Sequence, residues 1–432
     1  MAEVVGLRCI RCQAEYTDLG LVKGCPACLS RGLPTNVAVE YDYDRIRRSF
    51  HPRDALAGPM SMWRYSDLLP VPETSAVTMG EGMTPLVPVP RLAKRLGLRE
   101  LYVKDESRNP TSSFKDRLAS CAISVARERG ARVITGSSSG NAGAATAAFS
   151  ARAGLPCVMF TTQQFPQAMK AQMAVYGTKL LAAPTVPDRW RLVEAGVDQL
   201  GWFPVTVFVY PLVGSNPYGI EGYKTIAYEL VEQLGHVPPH VVFPVGAGDA
   251  FFGAWKGFDE YRQLGYTDSV PRMHAAEIFG PLENAISQGL DHVEETESGP
   301  TVAISVGLNM STYQALHVLR ATHGAARSAD DQELIDMQIA LASDEGMYLE
   351  ASSVLSLVGV QKMVAAGDID PAQAVVAFLT SSGLKDPEMT LSHMNPIPTC
   401  DANLESALQV LRDSYHFDGR GVAVGPDLGG DS

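Results

Sequence analysis

Asn109-Pro110-Thr111-Ser112-Ser113-Phe114-Lys115-Asp116-Arg117 is a polar turn that runs into an apolar-periodic stretch, residues 118–125. That change of pattern predicts a helix starting at or near Lys115. The positive end of a helix dipole lowers the pKa of an amine, and a neutral amine forms an imine with an aldehyde. A lone lysine of this kind is ordinarily a solvated helix residue. Three further segments give this one a chemical setting.

Downstream of Lys115, short apolar runs alternate with helical patterns. Residues 131–135, 155–160, 178–182, 241–245, 272–278 and 375–380 read as strands, with a shorter one upstream of the lysine at 101–104. Residues 142–153, 167–176, 224–234, 331–344, 354–366 and 405–415 carry helical periodicity. All-apolar strands alternating with helices predict an α/β fold of parallel sheets covered on both faces.

The first further segment is Thr135-Gly136-Ser137-Ser138-Ser139-Gly140-Asn141-Ala142-Gly143, a loop between an expected strand and an expected helix. Such a loop aims backbone N–H groups at an anion, here a substrate carboxylate, and Asn141 can hydrogen-bond a ring hydroxyl. The second is Pro244-Val245-Gly246-Ala247-Gly248-Asp249-Ala250-Phe251-Phe252-Gly253. Its small residues let main-chain amides close around a phosphate at a helix start, although the spacing is not that of the dinucleotide fingerprint. The third is Thr380-Ser381-Ser382-Gly383-Leu384-Lys385-Asp386, whose hydroxyls stand at a strand's carboxyl end, where one can meet a ring nitrogen. Taken singly, each is also the pattern of a connector or a capped turn. Together they offer an amine for an aldehyde, a cradle for a phosphate, an amide for a phenolic oxygen and a hydroxyl for a pyridine nitrogen. Those are the handles of pyridoxal 5′-phosphate.

The chain has 432 residues, 46% apolar and 19% charged, with a net charge of -13. These values describe a globular enzyme with a large core and argue against broad binding to nucleic acid or anionic membranes. No apolar run is long enough to span a bilayer, and the start of the chain lacks a basic-then-apolar signal pattern, so a cytoplasmic protein is expected. Of seven cysteines, Cys9, Cys12, Cys25 and Cys28 form two Cys-x-x-Cys knuckles twelve residues apart. Gly24 and Pro26 suit the second turn. The pattern predicts a structural Zn2+ ribbon with four thiolates; disulfides are the competing reading and are disfavoured in a reducing compartment. Cys121, Cys157 and Cys400 read as small apolar residues.

NPTSSFKDR, SSSGNAG, NPYGIEGYKT, PVGAGDAFFGAWKGF, EGMYLEASS and TSSGLKDPE, in that order, resemble the threonine synthases, members of the fold-type II pyridoxal-phosphate enzymes. The resemblance runs from about Trp63 to His393, and the ribbon resembles an N-terminal extension of some relatives. It implies two α/β domains with the cofactor between them and a homodimer. The expected division is a ribbon over 1–36, a lead-in and first part of the large domain over 37–106, a smaller domain over 107–209, the large domain over 210–400, and a C-terminal helix with a loose tail over 401–432. By resemblance, Lys115 carries the cofactor and moves the α-proton. Phe114 packs near the ring, Asn141 contacts the 3-oxygen and Thr380 meets the ring nitrogen. Gly246, Ala247, Gly248, Asp249 and Ala250 wrap the phosphate, while Ser113, Ser138, Ser139 and Ala142 face the substrate.

Three positions depart from the family pattern. Gly219 stands where the family has an arginine that grips the substrate phosphate. Ala142-Gly143 replaces Thr-Ser, and Ser381 fills a glycine position. The expected chemistry is elimination or replacement at the β or γ carbon of an amino acid, foremost loss of phosphate from a homoserine derivative followed by water addition. A β-eliminating or β-replacing relative, such as a dehydratase, an ammonia-lyase or a synthase on an activated serine, is the alternative. A non-catalytic scaffold using the ribbon is a third reading, which Lys115 opposes.

Overall fold

Six strands make the larger sheet of the computed structural model, which describes residues 4–163 and 165–419. Their order is Ala326–Ser328, Arg272–Glu277, His240–Pro244, Ala374–Leu379, Glu100–Asp105 and Leu86–Pro88. All neighbours are parallel except the last pair. The central strand Ala374–Leu379 (AVVAFL) is buried along nearly its whole length, as a parallel strand covered on both faces must be. A second sheet, fully parallel, orders Lys179–Ala182, Cys157–Thr161, Ile134–Ser137 and Phe203–Pro204.

The strands expected between 101 and 380 are present with ends shifted by a few residues. The helix Lys115–Glu128 starts at the lysine, and its apolar face is buried from Leu118 to Ala126. Two longer helices have no counterpart in the sequence reading, Val186–Leu200 and Tyr313–Thr322. The first opens with a capping box in which Thr185 and Asp188 exchange side-chain and backbone hydrogen bonds. The lead-in, which has no clear periodicity, holds short helices at Tyr43–Ser49, Pro52–Ala55 and Met62–Leu68.

The N-terminal ribbon is a three-stranded antiparallel sheet in which Val4–Cys9 lies between Glu15–Tyr16 and Val37–Tyr41. It packs on its own chain: its apolar residues share one core with Trp63, Tyr65, Tyr218 and Tyr228. Tyr41 donates to Glu221 at 2.9 Å and Asn36 to the Ser215 carbonyl at 3.1 Å. Residues to Pro387 form one unit. A second unit from Glu388 carries the helix Leu404–Tyr415, capped by Asn403, which accepts from the Ser406 N–H at 2.9 Å. Of the expected loose tail, residues 420–432 lie outside the described residues.

Strands Ile134–Ser137, His240–Pro244 and Ala374–Leu379 each end where a loop singled out from the sequence begins. Three chemistry-bearing loops therefore start at the carboxyl ends of parallel strands, the usual place for a ligand crevice in such sheets.

Candidate active site

Those loop residues line one cavity of about 500 Å³. Phe114, Lys115, Ser138, Ser139, Asn141, Ala142, Gly246, Ala247, Gly248, Asp249, Ala250 and Thr380 are all on its wall. Ser113 is not. It is fully buried beside the wall, and its Oγ accepts from the Lys115 N–H at 3.3 Å.

The Lys115 amine sits 4.4 Å from the centroid of the Phe114 ring and 5.8 Å from that of Tyr223. It belongs to no ion pair among the described residues. Burial pulls its pKa below the ordinary lysine value, opposed by the carboxylates of Asp249 and Glu350. The sequence points to the helix terminus as the cause of that lowering; burial is the leading cause here. Phe114 is fixed from both sides: its N–H donates to the Thr380 carbonyl at 3.0 Å, and its ring stacks on Tyr223 at 5.5 Å.

Asn141 opens the helix Asn141–Ala153. Its amide donates to both carboxylate oxygens of Glu350, at 3.1 and 3.2 Å, and its oxygen accepts from Ser381 Oγ at 3.3 Å. Burial pushes the Glu350 carboxyl up to about 7, with the Asn141 hydrogen bond opposing. Thr380 Oγ1 lies 2.7 Å from Ser353 Oγ.

The loop 246–250 leads into the helix Asp249–Gln263. Gly248 has φ +86°, and a Cβ there would lie 2.5 Å from Ala315 Cβ, so both the turn and the space demand glycine. Ser311 Oγ and Thr312 Oγ1 donate to the Gly246 and Ala247 carbonyls at 2.7 and 2.6 Å. Those bonds turn the carbonyls away. Among the described residues, the main-chain N–H groups of 246–250 donate to nothing. A run of unpartnered amides at a helix start is an anion site. The Asp249 carboxylate is held aside by Ser215 Oγ at 2.6 Å and Gln314 Nε2 at 2.6 Å.

The pattern of the family described as "Pyridoxal-phosphate dependent enzyme" matches residues 77–381. The threonine synthase of Methanosarcina acetivorans is 35% identical over 94% of this chain and 98% of its own length. That of Halalkalibacterium halodurans is 36% identical over 81% of this chain and 97% of its own. The chain belongs to the pyridoxal-phosphate-dependent enzymes. Among solved structures, maize serine racemase aligns with a TM-score of 0.61 at 18% identity, covering 72% of this chain and 91% of its own. Tomato (Solanum lycopersicum) threonine deaminase isoform 2 aligns at 0.60 and 19%, covering 84% and 92%. These likenesses concern the fold, which is the fold-type II architecture.

The wall of this pyridoxal-phosphate-dependent lyase suits its cofactor. The free amides of 246–250 match a phosphate, and an amine with no salt-bridge partner among the described residues shares their cavity. The position of Gly219 differs from the sequence reading. It is buried in the helix Pro217–Glu221 and is not on the cavity wall. A Cβ there would meet Leu118 Cγ at 3.0 Å, the Leu118 carbonyl oxygen at 3.1 Å and Ala122 Cβ at 3.2 Å. A side chain at 219 would start toward the helix Lys115–Glu128.

Other wall residues had no signal in the sequence reading: Arg189 and Trp190 on the helix Val186–Leu200, Phe165, Thr206, and the loop from Ile304 to Leu308. Away from the cavity, the sulfurs of Cys9, Cys12, Cys25 and Cys28 all lie within 4.8 Å of one another. Cys9 to Cys28 is 3.6 Å and Cys12 to Cys25 is 3.7 Å, without disulfides. Four sulfurs about 2.3 Å from one metal would stand ~3.8 Å apart, so the set is compatible with a metal ion.

Proposed function

We propose that the chain converts O-phosphohomoserine and water into threonine and inorganic phosphate. The observation that carries this reading is the single cavity holding both the Lys115 amine and the unpartnered amides of 246–250. The end-to-end similarity to threonine synthases supports the particular reaction.

Bound pyridoxal phosphate supplies an electron sink beside the substrate's α-carbon. The amides of Gly246 to Ala250 would hold its phosphate and Thr380 would face its ring nitrogen. A hydroxyl there tempers the sink, which favours elimination over transamination. Asn141 would contact the 3-oxygen, and Phe114 packs at the ring. Lys115 would be the residue that holds the cofactor's aldehyde, and its amine, once free, would take the α-proton and return protons to the carbon chain. Its lowered pKa places the free amine nearer the operating pH. Ser138, Ser139 and Ala142 would receive the substrate carboxylate at the helix start. Ser113 acts from behind the wall by fixing the Lys115 backbone.

The reading extends to zinc in the four-cysteine ribbon, where four thiolates leave no open coordination position and make the metal structural. It also takes in the division into a smaller domain over 107–209 and a large one over 210–400, a homodimer, and a cytoplasmic setting. Among the described residues no helix is long and apolar enough to cross a membrane. The test is phosphate and threonine production from O-phosphohomoserine by the cofactor-loaded enzyme. No phosphate release, with turnover of serine or threonine, would replace this reading with a β-eliminating one.

A further inference from the structure

If the substrate carries a phosphate, a cation on this wall would strengthen its binding, and Gly219 supplies none. Among the described residues, Lys115 and Arg189 are the only cationic ones on the cavity wall. Lys115 is committed to the cofactor's aldehyde. Arg189 lies in the first turn of the helix Val186–Leu200, oriented by the capping box at Thr185 and Asp188.

The Arg189 side chain is unusual in what it lacks. Its Nη1 donates to Ser139 Oγ at 2.8 Å. Its Nε is buried with no partner, and among the described residues it forms no ion pair. Burial lowers its pKa with no opposing carboxylate. A guanidinium partly withdrawn from water without a counter-charge is costly, and a cation on a cavity wall is satisfied by an oxyanion bound there. Ser139 itself is anchored, with Thr161 Oγ1 at 2.8 Å and Thr162 Oγ1 at 3.0 Å. The guanidinium is thereby tied at one corner to the loop proposed to receive the substrate carboxylate, and its remaining donors are left over for a second anion.

We propose that Arg189 is the specificity-determining residue that binds the anionic leaving group of the substrate, a phosphate ester on the amino-acid side chain, in place of the arginine the family carries at the position of Gly219. The proposal rests on the reaction read above. It changes which element reads the phosphate: the capped start of the helix Val186–Leu200 rather than the helix Pro217–Glu221.

The test uses the cofactor-loaded enzyme and the variants Arg189→Gln and Arg189→Lys, with retained visible absorbance and unchanged Tm showing that both are folded and loaded. Arg189→Gln should raise KM for O-phosphohomoserine by roughly 10- to 100-fold, and Arg189→Lys by less, since it keeps the charge but loses the fork. Binding of L-homoserine, which has the carboxylate but no phosphate, is read from the change in visible absorbance and should be unaltered. A KM unchanged in Arg189→Gln overturns the inference. So does equal weakening toward L-homoserine, which would make Arg189 the carboxylate ligand. If the wild type releases no phosphate from O-phosphohomoserine, the reaction reading fails by itself. Arg189 is then judged by calorimetric titration of inorganic phosphate into the loaded wild type and Arg189→Gln: loss of binding in the variant supports the inference, and equal binding overturns it.

Discussion

Asn141 and Glu350, 209 residues apart in the chain, meet where the amide of one donates to both oxygens of the other, at 3.1 and 3.2 Å. Burial raises the Glu350 carboxyl from its ordinary 4.5 to about 7. The folded state therefore holds a proton that the unfolded chain has released, and this group's contribution to stability is full below pH 4.5 and lost as pH rises through 7. Glu350→Gln keeps the acceptor for Asn141 and removes the titration. Its stability relative to wild type should rise between pH 5 and pH 8, by an amount on the order of 3 kcal/mol at most. Glu350→Ala removes the same titration but strands the Asn141 amide, so it should lie about 1–3 kcal/mol below Glu350→Gln at every pH. Urea unfolding of the three proteins at pH 5 and pH 8 checks both signs.

Lys115 is buried against two aromatic rings with no ion pair among the described residues, so its removal relieves a desolvated amine rather than breaking a network. Lys115→Ala should reduce turnover by roughly 10²–10⁴-fold or more and lose the visible absorbance of lysine-attached cofactor, with Tm unchanged or raised. Absorbance spectra and melting curves of the purified variant decide this. A variant that keeps substantial turnover would displace Lys115 from the role given to it.

The four cysteine sulfurs lie beside a core that also contains Trp63, Tyr65 and Tyr228. Loss of a metal there should be felt well beyond the ribbon. Cys25→Ser, or extraction by a strong chelator, should lower zinc from about one per chain and lower Tm by about 1 °C for every kcal/mol lost. The KM for substrate should stay unchanged once the protein is folded. Metal analysis paired with calorimetry measures both, and carefully prepared wild type without zinc would end the ribbon reading.

Gly219→Arg separates what the motif suggested from what the packing permits. By sequence alone, restoring the family's arginine should tighten binding of a phosphorylated substrate. With Leu118 and Ala122 already 3.0–3.2 Å from the site of a Cβ, the substitution should instead destabilise by at least ~1–3 kcal/mol and leave KM no better. Melting curves and KM for O-phosphohomoserine read the two effects separately.

Gly219 also shows where legibility ended. Lys115, the three loops and the paired cysteine knuckles were readable because each is a local pattern: a polar run ending an apolar strand, or a fixed spacing of thiols. The two sheets followed from apolar runs of strand length. What escaped depends on where side chains point after folding. Ser113 is two residues from Lys115 yet lies behind the wall. Glu350 reaches Asn141 only through the packing of distant elements. Arg189 was hidden because charged residues at 188, 189 and 191 interrupt the apolar period of its helix; the Thr185-x-x-Asp188 capping box was the available signal.

One buried pair offers an acid-side test remote from the cavity. His240 Nδ1 and His274 Nε2 are 3.0 Å apart, and His274 Nδ1 accepts the Ala325 N–H at 3.0 Å. That bond leaves the His274 proton on Nε2, donated to His240, whose other nitrogen faces Gln373 Oε1 at 2.8 Å. Both rings are therefore neutral in the fold. Burial, with neighbouring His240 and the charges of Arg272 and Arg327 adding to it, pulls His274 from 6.5 to about 3. Below pH 6.5 the unfolded chain takes up a proton that the native state refuses, so stability present above that pH is lost as pH falls toward 3. Between pH 7 and pH 5 this group alone should remove about 2 kcal/mol. His274→Asn should pay a fixed cost for its lost hydrogen bonds but show a shallower decline over the same interval. Urea unfolding at half-unit steps from pH 7 to pH 5 gives both slopes, and parallel curves would mean that His274 is already charged in the native protein.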